Sequence, residues 1–252
     1  MWIPIRRYYV FSKTRYVSRG CEKRRVLFCY GCCSKFMISM SNARDSEVFV
    51  SEAYKRIYQS TNMNHIDYIR ILSNGTLFNE KNWKEFKKNK NGKILLTASV
   101  DAATKETYEA IRRNGNFDTL KANMAFAGEL RRKGELAYLR MNFVVQKRNY
   151  KEMIDFVKWG LEIGADEVFF TKILNWGTFS ADDFKEISMM EADGITAKPE
   201  LKKIIEDPIM KNKIVDLGTI QYAHTTSDDV DVENYYIWEM ERKVEGLFHG
   251  AI

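Results

Sequence analysis

From residue 36 onward, short apolar runs alternate with amphipathic stretches of helical period. Phe36-Met37-Ile38-Ser39-Met40 predicts a strand, and residues 51–58 predict a helix with Ala53, Ile57 and Tyr58 on one face. Residues 66–72 read as strand and close on Ser73-Asn74-Gly75, a turn signal. Asn79 is placed to cap a helix that runs through Phe86. Residues 94–100 are the clearest buried strand. A long helical stretch follows, broken near Asn114-Gly115-Asn116. Strands are expected over 136–145 and 166–171. Between them, Asn149 and Glu152 resemble a capping box, and Met153, Phe156, Val157, Gly160 and Leu161 mark one helical face. Ser180 with Asp183 caps a further helix.

This alternation implies an α/β fold with a mainly parallel sheet, either doubly wound and open or wound as a barrel. Asn74, Ser99, Asp101, Gln146 and Asn149 fall at or just beyond the C-terminal ends of predicted strands. That rim is where parallel α/β folds bind ligands. Each residue also has a plain structural use, since Asn74 suits a turn, Asn149 a cap, Ser99 a buried hydroxyl and Asp101 a helix N-cap. Their recurrence on several strands favours a polar rim, and Asn74, Ser99, Asp101 and Gln146 are expected to face one cleft.

Composition adds limits. The chain has 252 residues, 45% hydrophobic and 29% charged with three prolines, which excludes disordered and collagen-like sequence. No apolar run approaches the ~18 residues of a membrane span. Arg6 and Arg7 interrupt the first hydrophobic stretch too early for a secretory signal. Four cysteines are too few for a disulfide scaffold, so a reducing, cytoplasmic setting is expected.

The charge is uneven. Residues 1–35 carry nine basic side chains against Glu22 alone, a net of +8 in a chain whose total is +6. Such an arm suits phosphate backbones or an anionic membrane, or it is foreign to the domain behind it. Arg6, Arg7, Tyr8 and Tyr9 mix cations with aromatics, but no RNA or DNA motif follows, so nucleic acid is the least favoured partner. All four cysteines (Cys21, Cys29, Cys32, Cys33) lie in this segment. Only Cys29 and Cys32 have the spacing of a zinc half-site, so free, partly buried thiols fit better.

Residues 46–193 resemble the core of a radical S-adenosylmethionine (radical SAM) enzyme. Ser46-Glu47-Val48-Phe49 is similar to the family's Gly-Gly-Glu-Pro-type segment, and Ser73-Asn74-Gly75-Thr76 to its third-strand TNG motif. Ala98-Ser99-Val100-Asp101-Ala102, Thr107-Tyr108-Glu109, Ile111-Arg112-Arg113 and Gly115-Asn116-Phe117-Asp118 follow in the family's order. Asn142-Phe143-Val144-Val145-Gln146 and Asn149-Tyr150-Lys151-Glu152-Met153 complete it. The resemblance implies a partial parallel (β/α) barrel binding S-adenosylmethionine. It places Glu47 toward the cofactor's ammonium, Ser99 and Asp101 toward its ribose or carboxylate, and Arg112 or Arg113 near the carboxylate, with Asn74 on the same rim. It further implies a [4Fe–4S] cluster, an electron donor, and a peptide or other small substrate.

The cluster motif is where the chain departs from the family. Three thiolates spaced Cys-x3-Cys-x2-Cys wrap three corners of the cluster. Counting from Cys29, the second position is Cys33 but the third is Phe36. Only 12 residues separate Cys33 from Ser46, where a helix and a strand need roughly 15 or more. The first strand–helix unit is therefore expected to be shortened or missing. The expected organisation is a basic segment over 1–35, the radical SAM-like core over 36–193, and an extension over 194–252. The alternative to an enzyme is a non-catalytic barrel remnant that at most binds a ligand.

Overall fold

The computed structural model describes residues 27–32, 35–40, 48–50, 59, 67–88, 93–175 and 177–221. The helix expected over 51–58 lies outside them, as do Glu47 and Cys33. Among the described residues, seven strands form one sheet: β1 (Leu27–Cys32), β2 (Lys35–Met40), β3 (Tyr68–Ser73), β4 (Lys93–Ser99), β5 (Tyr138–Val145), β6 (Glu167–Lys172) and β7 (Val215–Asp216). The five strands expected from the sequence form within two residues of their forecast ends. β1 and β7 were not foreseen. β1 lies inside the basic segment, where its two cysteines and a glycine hide the strand pattern.

β1 runs antiparallel to β2, whereas every pairing from β2 to β7 is parallel. Neighbours in sequence are neighbours in the sheet throughout. A doubly wound sheet reverses its strand order at a switch point; this one never does, which is the winding of a barrel. The sheet is not closed among the described residues.

The crossovers are α1 (Glu80–Lys87), α2 (Lys105–Ile111) with α3 (Phe117–Arg132), α4 (Met153–Ile163), and α5 (Ala181–Ile187) with α6 (Pro199–Ile205); α7 (Gly218–Gln221) follows β7. Three of the forecast boundaries have their chemistry in place. Asn79 Oδ1 accepts from the Asn82 amide at 3.0 Å, and Asn116 Oδ1 from the Thr119 amide at 2.8 Å. Ser180 Oγ accepts from the Asp183 amide at 3.1 Å. The break before α3 is made by Asn114, whose φ of 60° is the left-handed conformation asparagine tolerates.

Two expectations fail locally. Asn149 and Glu152 do not form a capping box, because both side chains are recruited by other elements. On α4, Leu161 is 43% exposed, while Trp159 and Ile163 are buried in its place.

Side chains alternate across each strand. Ile69 and Ile71, Leu96 and Ala98, Met141 and Phe143, and Val168 and Phe170 share one core with the buried helix residues. Leu201, Met210, Ile214 and Ile220 join the same core. Helices therefore cover one face of the sheet, as on the outside of a barrel. Their approach is close. A Cβ on Gly128 of α3 would lie 2.2 Å from the Ile163 carbonyl oxygen, and one on Gly160 of α4 would lie 2.4 Å from Val168 Cγ2.

Candidate functional site at the strand ends and inner face

Register aligns the C-terminal ends of β3, β4 and β5. Ser73 pairs with Ala98, and Ser99 pairs with Asn142. Asn74, Ser99, Asp101 and Gln146 thus follow the same ends of three adjacent parallel strands. Asn74 is occupied by its turn: its Oδ1 accepts from the Thr76 amide at 3.0 Å and the Thr76 hydroxyl at 2.6 Å. Asn123 of α3 clamps that turn by donating to the carbonyls of Gly75 and Thr76 at 2.9 and 2.7 Å.

Asp101 is not a helix cap; Thr104 caps α2. Asp101 takes a φ of 66°, and its carboxylate reaches across to β5, where Oδ1 accepts the Val144 amide at 2.7 Å. Its other oxygen forms an ion pair with Arg112 at the end of α2. The Asp101 side chain is 7% exposed and the Arg112 side chain 34%. Asp101 and Arg112 thus neutralise one another.

Asn149 extends this brace. Its Nδ2 donates to the carbonyls of Asp101 and Val144, each at 2.9 Å, and its Oδ1 accepts the Gln146 amide at 2.8 Å. Glu152 accepts from the amides of Ala103 and Thr104 at 2.7 and 3.1 Å and from the Thr104 hydroxyl at 2.6 Å. A carboxylate at the open end of α2 satisfies donors the helix cannot pair itself.

At this edge the buried Asn142 Oδ1 and Arg112 Nε have no hydrogen-bond partner, and the half-buried Ser99 hydroxyl and Gln146 carboxamide bond to no described residue. Ser99 and Asn142 are cross-strand partners. Lys172, at the matching end of β6, donates to the Gly194 carbonyl at 2.7 Å, and burial pulls its ammonium below the usual lysine range.

The inner face, away from the helices, is polar where it would ordinarily be oily. One layer runs Leu72, Thr97, Arg140, Glu167 across β3 to β6, and the next runs Ser99, Asn142, Phe169, Asp216 across β4 to β7. Arg140 is 2% exposed and Glu167 3%. The guanidinium lies 3.7 Å over the Phe169 ring, and its Nε is 3.5 Å from Glu167 Oε2. Tyr138 donates its phenol to the same carboxylate at 2.6 Å. Burial, followed by the Glu167 charge, holds that phenol far above the ordinary tyrosine range. Arg70, also buried, sits one layer below. The sequence signal for this face was Arg140 and Asn142 two residues apart inside an otherwise apolar strand.

The described cysteines, Cys29 and Cys32, do not fit a cluster. Cys29 lies in the ladder of β1 opposite Ile38, not in a loop, and Phe36, where a third thiolate is needed, lies in β2 opposite Gly31. Among the described residues, no group of three or more His, Cys, Asp or Glu is placed to hold a metal, and no helix is long and apolar enough to cross a membrane.

No protein-family model matches this sequence, and no curated protein matches it. Among solved structures the fold is similar to Streptococcus suis SuiB, at 13% identity and a TM-score of 0.51, over 77% of this chain and 43% of that one. SuiB bound to S-adenosylmethionine matches at 14% identity and a TM-score of 0.46, over 69% and 35% of the two chains. SuiB bound to the precursor peptide SuiA matches at 14% and 0.48, over 71% and 37%. The chain spans less than half the length of the SuiB chains it matches. At such identity the likeness is one of fold alone.

Proposed function

We propose that this chain is a radical SAM-type domain that binds S-adenosylmethionine at the C-terminal edge of β4 and β5 and receives a peptide or other small substrate on the inner face. The observation that carries the reading is the in-register pair Ser99 and Asn142 at the strand ends of a sequentially wound parallel sheet, with Asn142 Oδ1 buried and without a partner. A zwitterionic nucleoside needs acceptors for its ammonium and ribose hydroxyls, and these groups supply them. SuiB, whose fold the chain shares in part, is seen with S-adenosylmethionine and with a precursor peptide. Glu47 is assigned the cofactor ammonium on the resemblance of its segment.

Asp101 and Arg112 act here as a brace. They hold the ends of β4 and β5 in register, and Ser99 and Asn142 with them. In an intact radical SAM enzyme the cluster supplies the electron that cleaves the cofactor. The described cysteines, Cys29 and Cys32, do not fit that cluster, so no cleavage step is assigned.

Two or three hydrogen bonds, each worth a net ~1 kcal/mol, bind weakly once association entropy is counted, so the expected Kd is about 0.1–1 mM. Titration calorimetry with S-adenosylmethionine tests this. Saturable binding in that range, weakened about fivefold or more in Ser99→Ala, supports the reading. Absence of saturable heat, or equal affinity in Ser99→Ala and Glu47→Gln, overturns it.

A further inference from the structure

Arginine on the buried face of a strand is costly unless its charge and donors are met. Arg131 shows how this chain meets them when the partner is its own: Nε and Nη2 grip Asp166 side-on, at 2.6 and 2.8 Å. Arg140 is far more buried, yet the same two atoms, Nε and Nη2, have no hydrogen-bond partner. Glu167 Oε2 stops 3.5 Å from Nε and accepts the Tyr138 phenol at 2.6 Å. Phe169 covers one flat side of the guanidinium, which leaves its donor edge as the route to an acceptor. One layer higher on the same strand, Asn142 Oδ1 is also buried and unsatisfied.

We propose that Arg140 and Asn142 form a carboxylate-recognition site on the inner face: Arg140 takes the carboxylate of a ligand through its Nε/Nη2 edge, and Asn142 Oδ1 accepts from an amide N–H beside it with one of its two lone pairs, the other being left for the cofactor. A fixed guanidinium fork matches a planar carboxylate in a way a point charge does not. The pairing of carboxylate with neighbouring N–H is that of a peptide C-terminus or an N-acylated amino acid. This deepens the proposed function by naming the substrate class, and it rests on that reading only for calling the ligand a substrate.

The probe is N-acetylglycine, which carries both groups, compared with acetate, which lacks the N–H, and with inorganic phosphate. Arginine Nε–Hε signals of the full chain, labelled with nitrogen-15, are followed without S-adenosylmethionine, so failure of cofactor binding leaves the result untouched. The Arg140 signal is identified by its loss in Arg140→Lys.

The expected result is a saturable shift of that signal by N-acetylglycine at millimolar concentration, with acetate about fivefold weaker. Asn142→Leu, which keeps Arg140, should erase the difference between the two. Where Arg140→Lys fails to fold, the Asn142→Leu comparison still decides the matter. No saturable shift means that Glu167 and water complete the arginine, and the proposal fails. Saturation by phosphate but not by either carboxylate overturns the assignment to a carboxylate, as does an unchanged preference in Asn142→Leu.

Discussion

Asp101 Oδ1 accepts the Val144 amide at 2.7 Å, tying the residue just past β4 to the last turn of the ladder in β5. The bond bridges 43 positions of chain, and it holds because Asp101 adopts a left-handed φ of 66° that turns its carboxylate toward β5. Asp101→Ala leaves a buried amide and the Arg112 charge without their acceptor and puts alanine in a conformation it disfavours. The expected loss is about 2–4 kcal/mol in urea unfolding. Asp101→Asn keeps the acceptor and tolerates the backbone, so it should lose about half as much. Equal losses would mean that the ion pair, not the amide bond, carries the contact.

Gly128 is where α3 meets the end of α4. An added Cβ would stand 2.2 Å from the Ile163 carbonyl oxygen, and backbone cannot move aside as a side chain can. Gly128→Ala should therefore destabilise by about 2–3 kcal/mol despite alanine's better helix propensity. A gain in thermal midpoint would contradict the close approach of the two helices.

High pH should unfold the protein through its buried phenols. Tyr138 and Tyr108 are both raised above the model-compound value of 10.0, chiefly by burial. The stability they contribute is fully present below pH 10, where both folded and unfolded chains hold the proton. It is lost as pH rises further, because only the unfolded chain ionises, at up to about 1.4 kcal/mol per pH unit for each phenol. Lys172 acts in the opposite sense between its lowered value and 10.5, since the folded chain releases that proton first. Urea titrations between pH 9 and 11 should show a net fall, shallower in Tyr138→Phe. A slope unchanged by that substitution would contradict burial of this phenol.

The cysteines yield a negative expectation. Cys29 is ladder-paired with Ile38, and the position seven residues on is Phe36. Anaerobic reconstitution with iron and sulfide should give substantially less than one [4Fe–4S] cluster per chain. Stoichiometric brown protein absorbing near ~400 nm, lost in Cys29→Ala or Cys33→Ala, would contradict this.

Five of the seven strands and the starts of α1, α3 and α5 were legible because they depend on local chemistry. Asn79, Asn116 and Ser180 act within three residues of themselves, so a short window contains the whole interaction. Glu152 was misread for the opposite reason: its partners, Ala103 and Thr104, lie on another crossover, and they outcompeted the local cap. The rim residues stood out by type, but pattern could not tell those already engaged, Asn74, Asp101 and Asn149, from those still free, Ser99 and Gln146. The inner face was hidden for a further reason. Arg140 and Glu167 are 27 residues apart, and only the β5–β6 register makes them neighbours. β7 is two residues long and carries no periodicity to read.

The measurement closest to the central claim is amide mapping of S-adenosylmethionine on the nitrogen-15 labelled chain. The account predicts saturable shifts concentrated at the strand ends, at Ser99 to Ala102 and Asn142 to Gln146, with little change on α4 or at the opposite ends of the strands near Lys93 and Tyr138. Shifts centred anywhere else, or none up to several times the upper expected Kd of about 1 mM, would contradict it.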